Sequence, residues 1–220
     1  MKKIISFSVW GSNPKYANAA YENLILQSEI YPGWTCRFYI DDTVPKNIVS
    51  LLEKDAEIVM MPRSDGNYGL FWRFEPLKDD TIERFIVRDS DSRLNIREAA
   101  AVKEWEISGE EFHIMRDNPQ HNVFICGGLW GATSHFINRY KNIYDNELKN
   151  YLKGLLFIKL YTERGKYFNT DQPFLWQYVW PKIKNSHIAH IKNLLNLRIT
   201  GYEKLFPIEN PDGSFVGQPI

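Results

Sequence analysis

A chain of 220 residues, 44% hydrophobic and 15% aromatic, can bury a sizeable core in one large domain. Its 27 basic and 27 acidic side chains cancel and are interspersed, so there is no basis for general nucleic-acid binding. Cys36 and Cys126 have no metal-ligand spacing and make no disulfide framework, no run reaches the roughly 20 apolar residues of a membrane span, and Met1 to Trp10 reads as a core strand rather than a signal peptide, so a reducing, cytoplasmic setting is expected.

In chain order, Lys3 to Val9 is apolar and β-prone and reads as a strand. Asn13-Pro14 supplies an N-cap and a first-turn proline, and Tyr16, Ala19, Ala20, Asn23, Leu24, Gln27 and Ile30 then recur at helical spacing. Tyr31-Pro32-Gly33 ends that helix. Thr35 to Ile40 is a second strand running into Asp41-Asp42, Pro45 to Lys54 a short helix, and Glu57 to Met61 a third strand. Ser64 to Tyr68 is turn-forming and Gly69 to Glu75 rich in aromatics. Arg84 to Val87 is a fourth strand. Asn95 to Glu98 predicts a capping box, with Asn95 as cap and Glu98 reaching back, at the start of a helix to about Ile107. Glu111 to Met115 and Val123 to Cys126 are expected as two more strands. The chain then reads as mostly helical to about Lys184, with short strands or loops beyond. Without repeats, low-complexity tracts or linkers, residues 1–220 are expected to form a single α/β domain, with a mostly parallel central sheet flanked by helices.

Phe85-Ile86-Val87 leads directly into Arg88-Asp89-Ser90-Asp91-Ser92-Arg93. Side chains two apart in extended chain point the same way, roughly 6–7 Å apart at the backbone. Asp89 and Asp91 on one side suit a hard divalent cation, and Arg88 and Arg93 suit phosphate oxygens. The plainer reading is a solvated turn. In open α/β sheets ligands sit beyond the carboxyl ends of the strands. Trp10-Gly11-Ser12, Asp41-Asp42, Arg88 to Asp91, Arg116-Asp117 and Gly127-Gly128 all fall at such ends, and this convergence favours a phosphate-and-metal site.

These residues carry a resemblance. The short N-terminal α/β half, the Asp-x-Asp ending a mid-chain strand and the later Asp171-Gln172 resemble the nucleotide-sugar glycosyltransferases of the GT-A (Rossmann-like) fold. The stretches Gly69 to Phe74, Arg88 to Arg93, His113 to Asp117 and Gly127 to Gly131 are similar to small members from bacterial and viral sugar-coat clusters. The resemblance spans Lys3 to His190 and is specific between Gly69 and Gly131 and at Asp171-Gln172.

That resemblance implies a metal-dependent transfer of a sugar from a nucleotide sugar, such as a UDP- or GDP-sugar, to a hydroxyl-bearing acceptor in glycan synthesis. Asp89 and Asp91 would hold Mn²⁺ or Mg²⁺ on the diphosphate, with a third ligand at His190 or His187, His190 preferred. A histidine in so apolar a stretch also suits a packed core. Asp171 and Gln172 would stand near the reacting centre, although Asp171 also suits the cap of a helix through Trp176. Their presence tilts the reading towards retention of configuration. Physical reasoning places Trp10 and Tyr16 near the base, lets Asp41 or Asp42 bond base or ribose, and aims Arg73 at a donor phosphate or at Asp89. Gly127 and Gly128 would admit close backbone approach to a sugar, and Asp117 would orient the sugar or act as base. His113 and His121 read as structural. A nucleotidyltransferase on a related fold is the runner-up, although no glycine-rich, arginine-bearing loop follows the first strand. A silent nucleotide-sugar-binding module is the third reading. The chain is short for the family, which leaves room for a longer polypeptide or a protein partner, and the tail from Phe206 to Gln218 is expected to fold over the donor.

Overall fold

The computed structural model describes residues 1–141, 143–158, 161–162, 165–193 and 198–219. Its first strand, β1 (Lys2–Val9), shows why a sheet with two covered faces forms. Ile4 points into one apolar cluster while Ile5, Phe7 and Val9 point into another, the period-2 alternation of a strand buried on both sides. Around it lie β2 (Thr35–Ile40), β3 (Glu57–Met60), β4 (Ile82–Val87), β5 (Phe112–Arg116), β6 (Trp130–Thr133), β9 (His187–Ile191) and β10 (Glu203–Leu205). They form an eight-stranded sheet in the order β10-β9-β5-β6-β4-β1-β2-β3. Only β6 runs against its neighbours, pairing antiparallel with both β4 and β5. The sheet is therefore mostly parallel, as the sequence predicts.

Three helices cover one face: α1 (Pro14–Ile30), α2 (Lys46–Leu52) and α3 (Ile96–Ser108). Ala17, Ala20 and Leu24 from α1, Ile48 and Leu52 from α2, and Val102 and Trp105 from α3 pack on Phe7, Phe38 and Ile40. Asn13 caps α1 as its sequence predicts, its side chain accepting from Lys15 N at 3.0 Å. On the other face lie a 3₁₀ helix (Tyr68–Lys78), α4 (Ser134–Tyr140), α5 (Leu148–Ile158), α6 (Asp171–Phe174) and α7 (Trp180–Ile183). Phe71, Phe74, Phe85, Phe112, Trp130 and Phe174 build a continuous aromatic core there. Burying each such ring contributes about 1.5–3 kcal/mol.

Three expectations need correction. Val123 to Cys126 is a loop, and the strand is β6, which starts at Trp130. Because β6 is antiparallel, Gly127-Gly128 precedes it and still lies at the carboxyl edge of its parallel neighbours. Half of the capping box forms: Asn95 accepts from Glu98 N at 2.9 Å, but the Glu98 carboxylate turns away to Tyr31 Oη and Arg88. The stretch read as mostly helical contains a hairpin, β7 (Tyr161–Thr162) with β8 (Gly165–Lys166), and residues 159–160 and 163–164 of that stretch lie outside the described residues. Among the described residues no helix is long and apolar enough to cross a membrane.

Candidate active site

The acidic run turns just beyond β4, at Ser90–Asp91. Asp89 and Asp91 face one cavity of about 680 Å³ together with Trp10 and Tyr16. Arg88 points the other way, under α3, donating to Glu98 at 3.2 Å and to Val87 O at 2.7 Å with 3% of its surface exposed. Arg93 pairs with Glu22. Neither arginine that flanks the run lines the cavity: Arg88, next to Asp89 in the chain leaving β4, departs on the other face, and Arg93, beyond the turn at Ser90–Asp91, is taken up by Glu22.

The turn carrying the two acids is held from α1. The buried Asn23 amide donates to Ser90 O at 3.1 Å and to Ser92 O at 2.8 Å, and its oxygen accepts from Leu94 N at 3.0 Å. Lys15, at the start of the same helix, pairs with Asp91 at 3.0 Å.

Arg73, from the 3₁₀ helix, is the guanidinium that sits on the acids. Its Nη1 pairs with Asp89 and its Nη2 with Asp171 Oδ2 at 2.8 Å. Arg73 and Asp171 are both almost wholly buried. Burial pushes the Asp171 carboxyl above the usual carboxylate range, the Arg73 charge opposes that shift, and Asp89 adds to it. The Asp171 carboxylate caps no helix; it is spent on Arg73.

Gly127 and Gly128 are what lets these acids sit where they do. A Cβ at Gly127 would collide with Asp171 Oδ2, and one at Gly128 with Asp89 Oδ2. Each glycine fits the backbone against one carboxylate.

A smaller cavity of about 190 Å³ contains Arg73, Asp89, Asp171, Gln172 and His121. It shares Leu70 and Asp89 with the first cavity. Beyond it lies a third, of about 420 Å³, sharing Val123 and Gln172. Asn169 lines all three. Its φ of 52° is left-handed, a strained region for which asparagine is among the best-suited non-glycine residues.

Other expected residues stand apart. Asp41 is 1% exposed and organises a loop, accepting from Thr43 N at 3.0 Å and Ser64 N at 2.9 Å. Asp117 is also 1% exposed; its oxygens accept from Arg97 at 2.8 Å and from Val216 N at 2.9 Å, tying down the C-terminal segment. His190, expected as third metal ligand, is fully buried in β9, its ring nitrogens bonded to His113 at 2.8 Å and Glu104 at 2.9 Å. His187 is occupied by Ile183 O and Thr200. Among the described residues no three His, Cys, Asp or Glu side chains gather as a metal site, so His190 does not join Asp89 and Asp91. The histidine that does face Asp89 is His121, held through Nδ1 by Asp117 N at 3.1 Å. Lys15, His121 and Asn169 carry no motif of their own; Lys15 alone had a signal, its place directly after the Asn13-Pro14 cap.

The chain matches no protein-family model and no curated protein sequence. Its fold has solved counterparts. A glycosyltransferase involved in the glycosylation of the major capsid of PBCV-1 aligns over 89% of this chain and 84% of its own, with a TM-score of 0.53 and 16% identity. The 4-diphosphocytidyl-2C-methyl-D-erythritol synthase from Anaerococcus prevotii DSM 20548 aligns over 90% of this chain and 91% of its own, with a TM-score of 0.52 and 13% identity. What is shared at such identities is the architecture: the chain has a GT-A-like α/β fold.

Proposed function

We propose that this protein is a metal-dependent glycosyltransferase that moves a sugar from a nucleoside-diphosphate sugar to a hydroxyl acceptor. One observation carries the reading: Arg73 joins Asp89 and Asp171, the acids of two motifs far apart in the chain, where a nucleotide-sized cavity meets a smaller one. The base and ribose occupy the large cavity beside Trp10 and Tyr16. The diphosphate lies by Asp89 and Asp91, and the sugar reaches Asp171 and Gln172.

Two carboxylates on one cavity fit a hard divalent cation, which takes one or two protein carboxylates and completes its shell with water and phosphate oxygens. Mn²⁺ or Mg²⁺ held by Asp89 and Asp91 would supply charge stabilisation to the departing diphosphate. Lys15 and Arg73 already place positive charge against the same carboxylates and can turn it to phosphate oxygens when a donor enters.

In the transfer, the bond from the anomeric carbon to the phosphate oxygen breaks and its electron pair leaves with the diphosphate. The acceptor oxygen bonds the anomeric carbon, and its proton passes to the departing phosphate. Asp171, buried and committed to Arg73, orients the sugar together with Gln172 and does not itself abstract that proton. This division of labour suits retention of configuration. Asp117 is assigned to anchoring the tail.

The fold shared with the diphosphocytidyl-methylerythritol synthase supports a second reading, nucleotidyl transfer. The loop after β1, Trp10-Gly11-Ser12-Asn13-Pro14, lacks a glycine-rich phosphate loop and favours the first.

The test is a thermal-shift screen against UDP-, GDP-, CMP- and dTDP-sugars with and without Mn²⁺, beside the Asp89→Ala/Asp91→Ala variant. A ligand at a hundredfold excess over its Kd stabilises by about 2.7 kcal/mol. A metal-dependent shift with one nucleotide class, lost in the variant, is expected. No shift with any donor sinks the proposal. Regeneration of a nucleoside triphosphate on adding pyrophosphate would select the second reading.

A further inference from the structure

The third cavity lies beyond the one assigned to the donor sugar and shares Asn169 and Gln172 with it. It opens from the reacting centre on the side away from Asp91, and its walls include Asn122, Phe124, Asn169, Gln172 and Trp176. None of its lining residues carries a charge. Three carboxamides, from Asn122, Asn169 and Gln172, offer both donors and acceptors, the pattern that matches hydroxyl groups.

Trp176 is out of keeping with the rest of the chain. Trp34, Trp72, Trp105 and Trp130 are buried and Trp10 and Trp180 partly so, whereas Trp176 is 58% exposed. It stands on a π-helical turn, Leu175–Val179, a local irregularity that often re-aims side chains at working sites. Leu175 and Val179 on that turn are fully buried, so Trp176 is presented from a fixed base. The indole face suits an apolar patch of C–H groups, and its setting suits hydroxyls around that patch. A neutral pyranose ring has both on one small body. Phosphate, carboxylate or a charged peptide would find no counter-charge in this cavity.

We infer that this cavity is a sugar-binding subsite in which a neutral hexopyranose stacks on Trp176 and bonds through its hydroxyls to Asn122, Asn169 and Gln172, so that the acceptor is itself a carbohydrate. The name acceptor rests on the glycosyltransferase reading; the sugar contact does not. Gln172 and Asn169 also line the central cavity, so a hydroxyl of the bound ring lies next to the reacting centre.

The experiment is saturation-transfer NMR on the full chain with methyl α- and β-glycosides of glucose, galactose and mannose, with and without UDP and Mn²⁺. Wild type and the Trp176→Ala and Trp176→Phe variants are compared, with melting temperature as the check on folding and the shift induced by UDP measured in the same samples. Transfer to the ring C–H protons of at least one glycoside is expected, undiminished when UDP fills the donor cavity. Trp176→Ala should weaken it about tenfold, the worth of one aromatic face, with melting unchanged, and Trp176→Phe should keep part of it. No transfer to any glycoside under either condition overturns the inference. So does transfer that survives Trp176→Ala, or transfer that UDP abolishes. Sugar binding at Trp176 with no response to any nucleotide would uphold the subsite and count against the glycosyltransferase reading instead.

Discussion

Arg73 and Asp171, 98 residues apart in the sequence, meet as a buried ion pair with Nη2 and Oδ2 2.8 Å apart. Removing one member of such a pair leaves an uncompensated charge that is almost wholly buried. Arg73→Ala should therefore cost about 3–5 kcal/mol. The same substitution in an Asp171→Asn background should cost clearly less, because the stranded charge is gone. Denaturant titration of the four proteins of this cycle measures the difference.

Gly127 and Gly128 set the backbone against the two carboxylates. Gly128→Ala should push Asp89 off its position, with an overpacking cost of about 1–3 kcal/mol and loss of nucleotide-sugar binding. Gly154 has open space around it on α5 and serves as the control. Gly154→Ala should raise stability by roughly 0.5–1 kcal/mol. Equal behaviour of the two variants in melting and in ligand-induced shift would contradict the assignment.

Asn23 carries the Asp89–Asp91 turn on three hydrogen bonds. Asn23→Leu leaves two carbonyls and one N–H without partners, at about 1–3 kcal/mol for each group that stays dry. The stability loss should be accompanied by a fall in metal-dependent nucleotide affinity, read by calorimetry below the melting range of the variant.

Acid should unfold this protein through its buried histidines. His190 Nε2 donates to Glu104, so the neutral ring accepts from His113 Nε2 and leaves His113 Nδ1 without a partner. Burial holds His113 well below the ordinary histidine value and lowers His190 as well, with Glu104 partly opposing the latter. A depressed folded-state value means that the unfolded chain takes up the proton first. Stability is then fully present above about pH 6.5 and falls as the pH drops below it, by up to ~1.4 kcal/mol per pH unit for each histidine. Melting followed from pH 8 to pH 5 should show this slope, and His113→Phe should flatten it.

The parts of the site carried by short local motifs were legible in the sequence. Asp89 and Asp91 share a cavity as expected, though a turn at Ser90–Asp91 and not strand alternation brings them there, and the Asn13 cap forms because asparagine before proline suits a helix start. Strand alternation, applied to Arg88 at the end of β4, would have removed it from the phosphate side. β6 was hidden because Gly131 and Ala132 carry no strand signature. Glycine is needed at 131, where a Cβ would lie 2.6 Å from Phe85 O, a contact between strands that no local pattern encodes. Val123 to Cys126 has the apolarity of a strand, yet Ile125 and Cys126 are buried as loop residues. His121 and Asn169 reach the cavities through long-range packing alone.

The Asn23 bonds have a mechanical consequence. Tyr16 and Lys15 ride on α1, and Asn23 fastens that helix to the turn bearing Asp89 and Asp91. One jaw of the large cavity is thus tied into a single unit, shaped before anything enters. Any tightening around a guest falls to the opposite jaw, where Asn67, Leu70 and Phe168 stand. A preset jaw spares the ordering cost on that side of the cavity.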